Sequence, residues 1–335
     1  MEIEHNTKLT AAEVSQLWAA YMNSSMCKCL FTSFLTKMED TEIRAILSHG
    51  LELSETHLQK LTTIFQKENY PVPYGFVVEE DVNTSAPRLF SDSFMLYFSY
   101  NMGIIALSFY AVAKAFSVRS DIDSYFSECV HELSEFDTMT KNLLLSKGLY
   151  IRSPYLNPPK EVNFIKSQRF LAGWFGEKRP LSAMEITHLF TNLQRNALGR
   201  ATMMGFSQVA QSKEVGQFMV RGRDIAFKHT EIFGSVLEEN YLSAPMTWDT
   251  EVTDSKGAPF SDKMMMFMTT ALIGLGIGFY GTSMATSTRR DLSAHYVRLS
   301  AEIAKYAEDG ANIMIKNGWL EEPPLSEDRD KLANN

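Results

Sequence analysis

Cysteine is scarce in this chain. Cys27, Cys29 and Cys129 are the three among 335 residues, too few and too oddly spaced for a disulfide framework, and no CxxC pair points to zinc or redox chemistry. A reduced compartment follows. Basic residues are also in short supply: 32 Lys and Arg stand against 40 Asp and Glu, a formal charge of −8. The chain therefore offers no general attraction for nucleic acid or anionic lipid. The opening MEIEHNTKLT lacks the basic start and apolar stretch of a secretory signal, which points to a cytoplasmic protein. No convincing strand is present. With it go a Gly-rich phosphate loop, a Gly-x-Ser-x-Gly elbow, a His-Glu-x-x-His zinc motif and a basic stripe interleaved with aromatics. What is left is ordinary globular composition, 45% hydrophobic and 21% charged, with length for about two domains of roughly 150 residues.

An internal repeat supplies those domains. Leu9-Thr10-Ala11-Ala12-Glu13-Val14 aligns with Leu181-Ser182-Ala183-Met184-Glu185-Ile186, and at the same offset His57 meets His229 and Gly50 meets Gly222. Beyond a long connection the offset shortens by two, so that Tyr110 meets Tyr280, Arg119 meets Arg289, Asp121 meets Asp291 and Gly148 meets Gly318. Each copy opens on a capping box, Thr10-x-x-Glu13 and Ser182-x-x-Glu185, in which hydroxyl and carboxylate satisfy the orphan amides of a first helical turn. The pattern predicts four helices per copy, over 10–38, 41–69, 91–117 and 121–148, then 182–210, 213–241, 261–287 and 291–318. Gly148 and Gly318 are natural stops.

In the second helix, Ile43, Leu47, Gly50, Ser54, His57, Leu61 and Ile64 follow alternating steps of four and three, as do Val215, Met219, Gly222, Ala226, His229, Phe233 and Val236. This is a bundle seam. Short joints between helices one and two and between three and four force antiparallel neighbours. The connection between two and three is long enough, about 20 residues, to span a helix of about 42 Å. One long crossover is the ferritin-like arrangement. The expected organisation is all-α: a first bundle over 1–154, an aromatic-rich docked linker over 155–180 (Phe164, Phe170, Trp174 and Phe175), a second bundle over 181–324 and a loose tail over 325–335. The third helices lack charge over Ser93–Ala113 and Met264–Thr288, long enough for a membrane span. The amphipathic surroundings and the glycines Gly274, Gly276, Gly278 and Gly281 favour instead a helix buried all round, with Gly274, Gly278 and Ser283 allowing close helix approach.

Candidate chemistry is sparse. A di-iron centre needs a Glu on each of two helices and a Glu-x-x-His on each of the others, and the correctly spaced element is Glu128-x-x-His131, whose counterpart is Arg298 and Ala301. No cofactor is expected; iron or zinc at Glu128 and His131 is the alternative. The seam places His57 and His229 inside, facing Asn23 or Ser24 and Arg195 or Asn196, which suits a neutral hydrogen-bonded imidazole more than a ligand or catalyst. Equal height in the helical hairpins pairs Lys28 with Glu52 and Arg200 with Asp224, expected as internal ion pairs fixing register. The 18 methionines read as adaptable core filling.

The stretch Gly173-Trp174-Phe175-Gly176-Glu177-Lys178-Arg179-Pro180-Leu181 through Glu185-Ile186, joining two matched four-helix units, resembles a tandem ferritin-like family of unknown function from endospore-forming bacteria, distantly like spore coat protein F. The resemblance runs from about Leu9 to Pro324. It implies a duplicated ferritin-like fold and an association with sporulation, and brings no catalytic residues. The resulting expectation is a non-enzymatic structural or interaction protein of the sporulating cell or spore, self-associating or meeting other spore proteins, with no nucleic acid and no membrane. The alternative is a metal- or small-ligand-binding ferritin-like protein or oxidase.

Overall fold

The structure, a computed structural model, describes residues 7–173 and 178–334. Among these residues it is all-α. Its elements are α1 (Ala11–Lys37), α2 (Thr41–Lys67), the one-turn α3 (Val78–Asp81), α4 (Asp92–Phe116), α5 (Ser120–Ser146), α6 (Ala183–Val209), α7 (Lys213–Glu238), α8 (Asp262–Thr286), α9 (Arg290–Lys316) and the short α10 (Arg329–Ala333). An isolated antiparallel bridge joins Phe90 to Val252. Residues 7–84, 95–148 and 318–334 form one compact unit, and residues 85–94, 149–173 and 178–317 a second.

The eight long helices fall within a few residues of the predicted spans because their ends are chemically marked. Thr10 Oγ1 accepts from the Glu13 amide at 3.2 Å while the Glu13 carboxylate accepts from the Thr10 amide at 2.8 Å; Ser182 and Glu185 repeat this at 3.3 and 2.9 Å. Gly148 and Gly318 end α5 and α9 with φ of 70° and 68°, a left-handed conformation that a Cβ disfavours. Asn69 and Tyr241, both at φ 57°, close α2 and α7 the same way at matched positions.

Side-chain pairs fix the topology. In the first unit, Phe34 meets Phe98, and Ser24 bonds Tyr110, so α1 and α4 are antiparallel. His49 meets Phe136, His57 meets Glu132 and Glu68 meets Arg119, so α2 and α5 are antiparallel. With α1 and α2 a hairpin, α2 and α4 run parallel, and the connection between them must travel the length of the bundle. The second unit repeats this through Glu214–Lys316 and His229–Glu302 for α7 and α9, and Asn192–Ser283 and Asn196–Tyr280 for α6 and α8.

The seam side chains Ile43, Leu47, Gly50, Ser54, His57 and Leu61 are buried as predicted, and Phe65 takes the place expected for Ile64. Fully buried Leu17, Leu30, Leu47 and Phe126 fill the first core, and Leu189, Phe233, Tyr296 and Leu299 the second. Each such apolar side chain stabilises its bundle by about 1.5–3 kcal/mol.

Two expectations are corrected. The third helices are not buried all round: α4 and α8 are long and apolar enough to cross a membrane, yet 44% and 39% of their apolar windows are buried, with Val112, Phe116 and Met284 exposed. A Cβ on Gly274 or Gly278 would meet nothing within 4 Å; of the three residues named for close approach, Ser283 alone is buried against a neighbour, Asn192, at 2.8 Å. These helices occupy one bundle corner each, so half of their surface faces outward. The linker docks only at its end. Tyr155, Val162 and Phe164 are exposed, while Phe170 lies 4.0 Å beneath the Arg179 guanidinium; Trp174 and Phe175 lie outside the described residues. In the tail, α10 is exposed.

Candidate functional site

Alternating steps of four and three place His57 on the inner face of α2, where it is 3% exposed. The antiparallel α5 sets Glu132 and Cys129 against it, and α4 brings Tyr110. His57 Nδ1 lies 3.7 Å from the Cys129 thiol. His57 Nε2 is 3.1 Å from Glu132 Oε2, within ion-pair distance but out of hydrogen-bond alignment, so both atoms are buried without an aligned partner.

The matched residues of the second unit form a completed chain. His229 Nε2 lies 3.1 Å from Glu302 Oε2, and Nδ1 lies 2.9 Å from the Tyr280 hydroxyl. A carboxylate only accepts, so Nε2 carries the proton and Nδ1 accepts from Tyr280. Tyr280 in turn accepts from Asn196 Nδ2 at 2.8 Å, and Lys228 balances Glu302 at 2.7 Å. Both imidazole nitrogens and the tyrosine hydroxyl of this cluster thus have partners.

Burial shifts both imidazoles toward the neutral form. Burial, then the Lys60 charge, pulls His57 down to about 4 against the pull of Glu128. Burial lowers His229 as well, with Glu302 opposing. Burial pushes the Cys129 thiol up to about 12. An activated cysteine needs the reverse, a stabilised thiolate beside an imidazolium, and the buried Cys129–His57 pair does not provide that setting. Among the described residues no three His, Cys, Asp or Glu side chains form a metal-binding group.

A second set of repeated polar residues closes one end of each bundle. Glu13 Oε1 accepts from the amides of Val118 and Arg119 at 3.1 and 2.9 Å. Arg119 is then held bidentately by Asp121 and reaches Glu68 at 2.8 Å. In the second unit Glu185, fully buried, accepts from the amides of Thr288 and Arg289, and Arg179 grips it with two bonds of 2.8 Å. Arg289, also fully buried, is clamped by Asp291. These charges tie the start of one helix to the start of another, a positioning task.

The predicted site residues divide. His57 and His229 are buried as expected, and each belongs to a polar cluster. The expected ion pairs do not form. Lys28 pairs with Glu55 at 3.3 Å while Glu52 is exposed, with His49 at 4.0 Å; Arg200 pairs with Asp249 at 3.1 Å while the exposed Asp224 holds its neighbour Arg223. Glu52 and Asp224 sit two residues beyond the seam glycines, about 200° around the helix, hence away from the interior. Glu128 pairs with Lys60 at 2.7 Å and His131 with Glu135 at 3.5 Å, both partly or largely exposed. Sequence reasoning missed Glu132 and Glu302 as partners of the histidines. The repeat carried the signal: at the shortened offset these are identical acids facing identical histidines.

Comparison with known proteins adds the following. The family described as a protein of unknown function (DUF3231) matches residues 1–162 and again 169–332. No curated protein matches. Among solved structures, a candidate spore coat protein of Bacillus halodurans C-125 is similar at 16% identity, over 45% of this chain and 98% of that one, with a TM-score of 0.41.

Proposed function

We propose a non-enzymatic structural or interaction role for this chain, which belongs to the DUF3231 family, a family of unknown function. One observation carries the reading: the acids and the arginine matched at the helix starts of both copies serve to tie those starts together, as where Glu185 accepts from the Arg289 amide and Asp291 clamps the Arg289 guanidinium. Where a thiol does meet an imidazole, at Cys129 and His57, burial keeps the thiol far from its thiolate form. Five exposed apolar side chains within eleven residues of the linker, Tyr155, Leu156, Val162, Phe164 and Ile165, support an interaction role, since exposed apolar surface concentrated in one segment marks contact sites. The partners in this proposal are further copies of the chain or other proteins of the spore, in keeping with the resemblance to a family from endospore formers.

The test is quantitative immunoblotting through growth and sporulation in an endospore-forming host, with washed spores as a separate fraction and native mass spectrometry of the untagged protein. Accumulation during sporulation, retention in the spore fraction and a defined oligomer are expected. A constant level in growing cells, absence from spores and a monomer would overturn the reading.

A further inference from the structure

Between α1, α2, α4 and α5 the first unit contains a cavity of about 70 Å³. Phe31, Met102 and Ala106 give its wall an apolar side, and His57, Tyr110 and Ser24 a polar one. Half-buried Asn23 and Cys27 line it as well. The duplicated chain supplies an internal reference. Where the second unit carries Ile273, packed on its core, and Asn196, bonded to Tyr280, the first carries Gly103 and Ser24. Ser24 removes volume from the wall beside Tyr110 and the histidine, and Gly103 removes it about two turns away, beside Phe136.

The polar consequence follows from the same comparison. Tyr280 donates to His229, but Tyr110 bonds Ser24 instead and leaves the His57 ring with a weak thiol contact on one nitrogen and an unaligned carboxylate beside the other. Buried polar groups left in this state gain free energy from a partner of the right size. An apolar cavity of about 150 Å³ holds benzene, so one half that volume suits a molecule of about three or four heavy atoms.

We propose that this cavity is a binding site for a small neutral molecule with one hydrogen-bonding group, of the class of short alcohols and ketones. Its polar atom lies at Tyr110 and His57 and its carbon body against Met102 and Ala106. The wall groups fit an uncharged occupant: burial keeps the imidazole neutral and holds the Cys27 thiol protonated, pushed up to about 12. The proposal goes beyond the interaction role and stands or falls separately from it.

The probe is isopropanol, titrated into the full-length protein carrying labelled methionine methyls, with Met102 as reporter and Met264 of the second unit as control. A saturable Met102 shift, at least tenfold weaker in response in both Gly103→Ile and Ala106→Leu, is the expected result. A Cβ at position 103 would sit 3.3 Å from Phe136, so Ala106→Leu is the second filling variant, and circular dichroism confirms that each variant is folded. A shift that rises without saturation, appears equally at Met264, or survives in both folded variants means co-solvent or water only and overturns the proposal.

Discussion

The Tyr280 hydroxyl lies 2.9 Å from His229 Nδ1 and closes a chain from Asn196 through the imidazole to Glu302. Removing that hydroxyl leaves the buried His229 Nδ1 without its donor, while Asn196 Nδ2 keeps the Asn192 carbonyl at 2.7 Å. Tyr280→Phe is therefore expected to cost about 1–3 kcal/mol of stability, read as a lowered urea midpoint with an unchanged slope. Tyr110→Phe, which frees Ser24 and leaves His57 as it was, is expected to cost less than about 1 kcal/mol. Equal losses would mean that the two clusters are not energetically distinct.

Stability is expected to fall as pH drops from 6.5. His57 is pulled below its ordinary value to about 4, so the unfolded chain binds a proton there before the folded one does. The contribution is complete above the unfolded value of about 6.5 and lost progressively toward pH 4, about 2 kcal/mol of it by pH 5. His229 moves in the same direction. Burial raises the Glu132 carboxyl, which offsets part of the loss as that group takes up its proton. Glu185 is a separate case: burial alone would raise it, but Arg179 and the amides of Ser182 and Arg289 hold it at about 2, so its stabilisation fades only below about 4.5. Urea midpoints at pH 7.5 and 5 for wild type and His57→Gln check this; an equal pH loss in both proteins would remove His57 as the cause.

The helix ends and the repeat were legible because they depend on local chemistry: Thr10 with Glu13, Ser182 with Glu185, Gly148 and Gly318 each act within a turn or two. The long crossover was legible from chain length alone. Partners across helices were not. Equal height in a hairpin says nothing about which way a side chain faces, and it paired Lys28 with Glu52 although Glu55, three residues on, lies nearer the α1 side. The outward half of α8 escaped notice because apolar composition reads the same whether one side or all sides are covered.

Glu185 unites the cap of α6 with the start of α9, and replacing it by an amide removes the buried charge that Arg179 grips with two bonds, leaving Arg179 only the Phe170 and Pro180 carbonyls and the Thr288 hydroxyl. Glu185→Gln is expected to destabilise the second unit by about 2–4 kcal/mol. Glu13→Gln is expected to cost less, because Glu13 accepts amides and a hydroxyl with no arginine to strand. Differential scanning calorimetry of the two variants measures the difference; a larger loss for Glu13→Gln would contradict the weight given to Arg179.

Asp224 offers the opposite expectation. It is 61% exposed and touches its chain neighbour Arg223, so Asp224→Ala is expected to change stability by less than about 0.5 kcal/mol. The partner that matters to Arg200 is Asp249, and both side chains are only about one-fifth exposed. Arg200 also lies 4.2 Å over the Phe227 ring, which holds the guanidinium in place for the carboxylate. Asp249→Asn is expected to cost about 1 kcal/mol. A double-mutant cycle separates the cases: Arg200 with Asp249 is expected to show coupling near that value and Arg200 with Asp224 none. Coupling in the second cycle would restore the pair that equal height alone suggests.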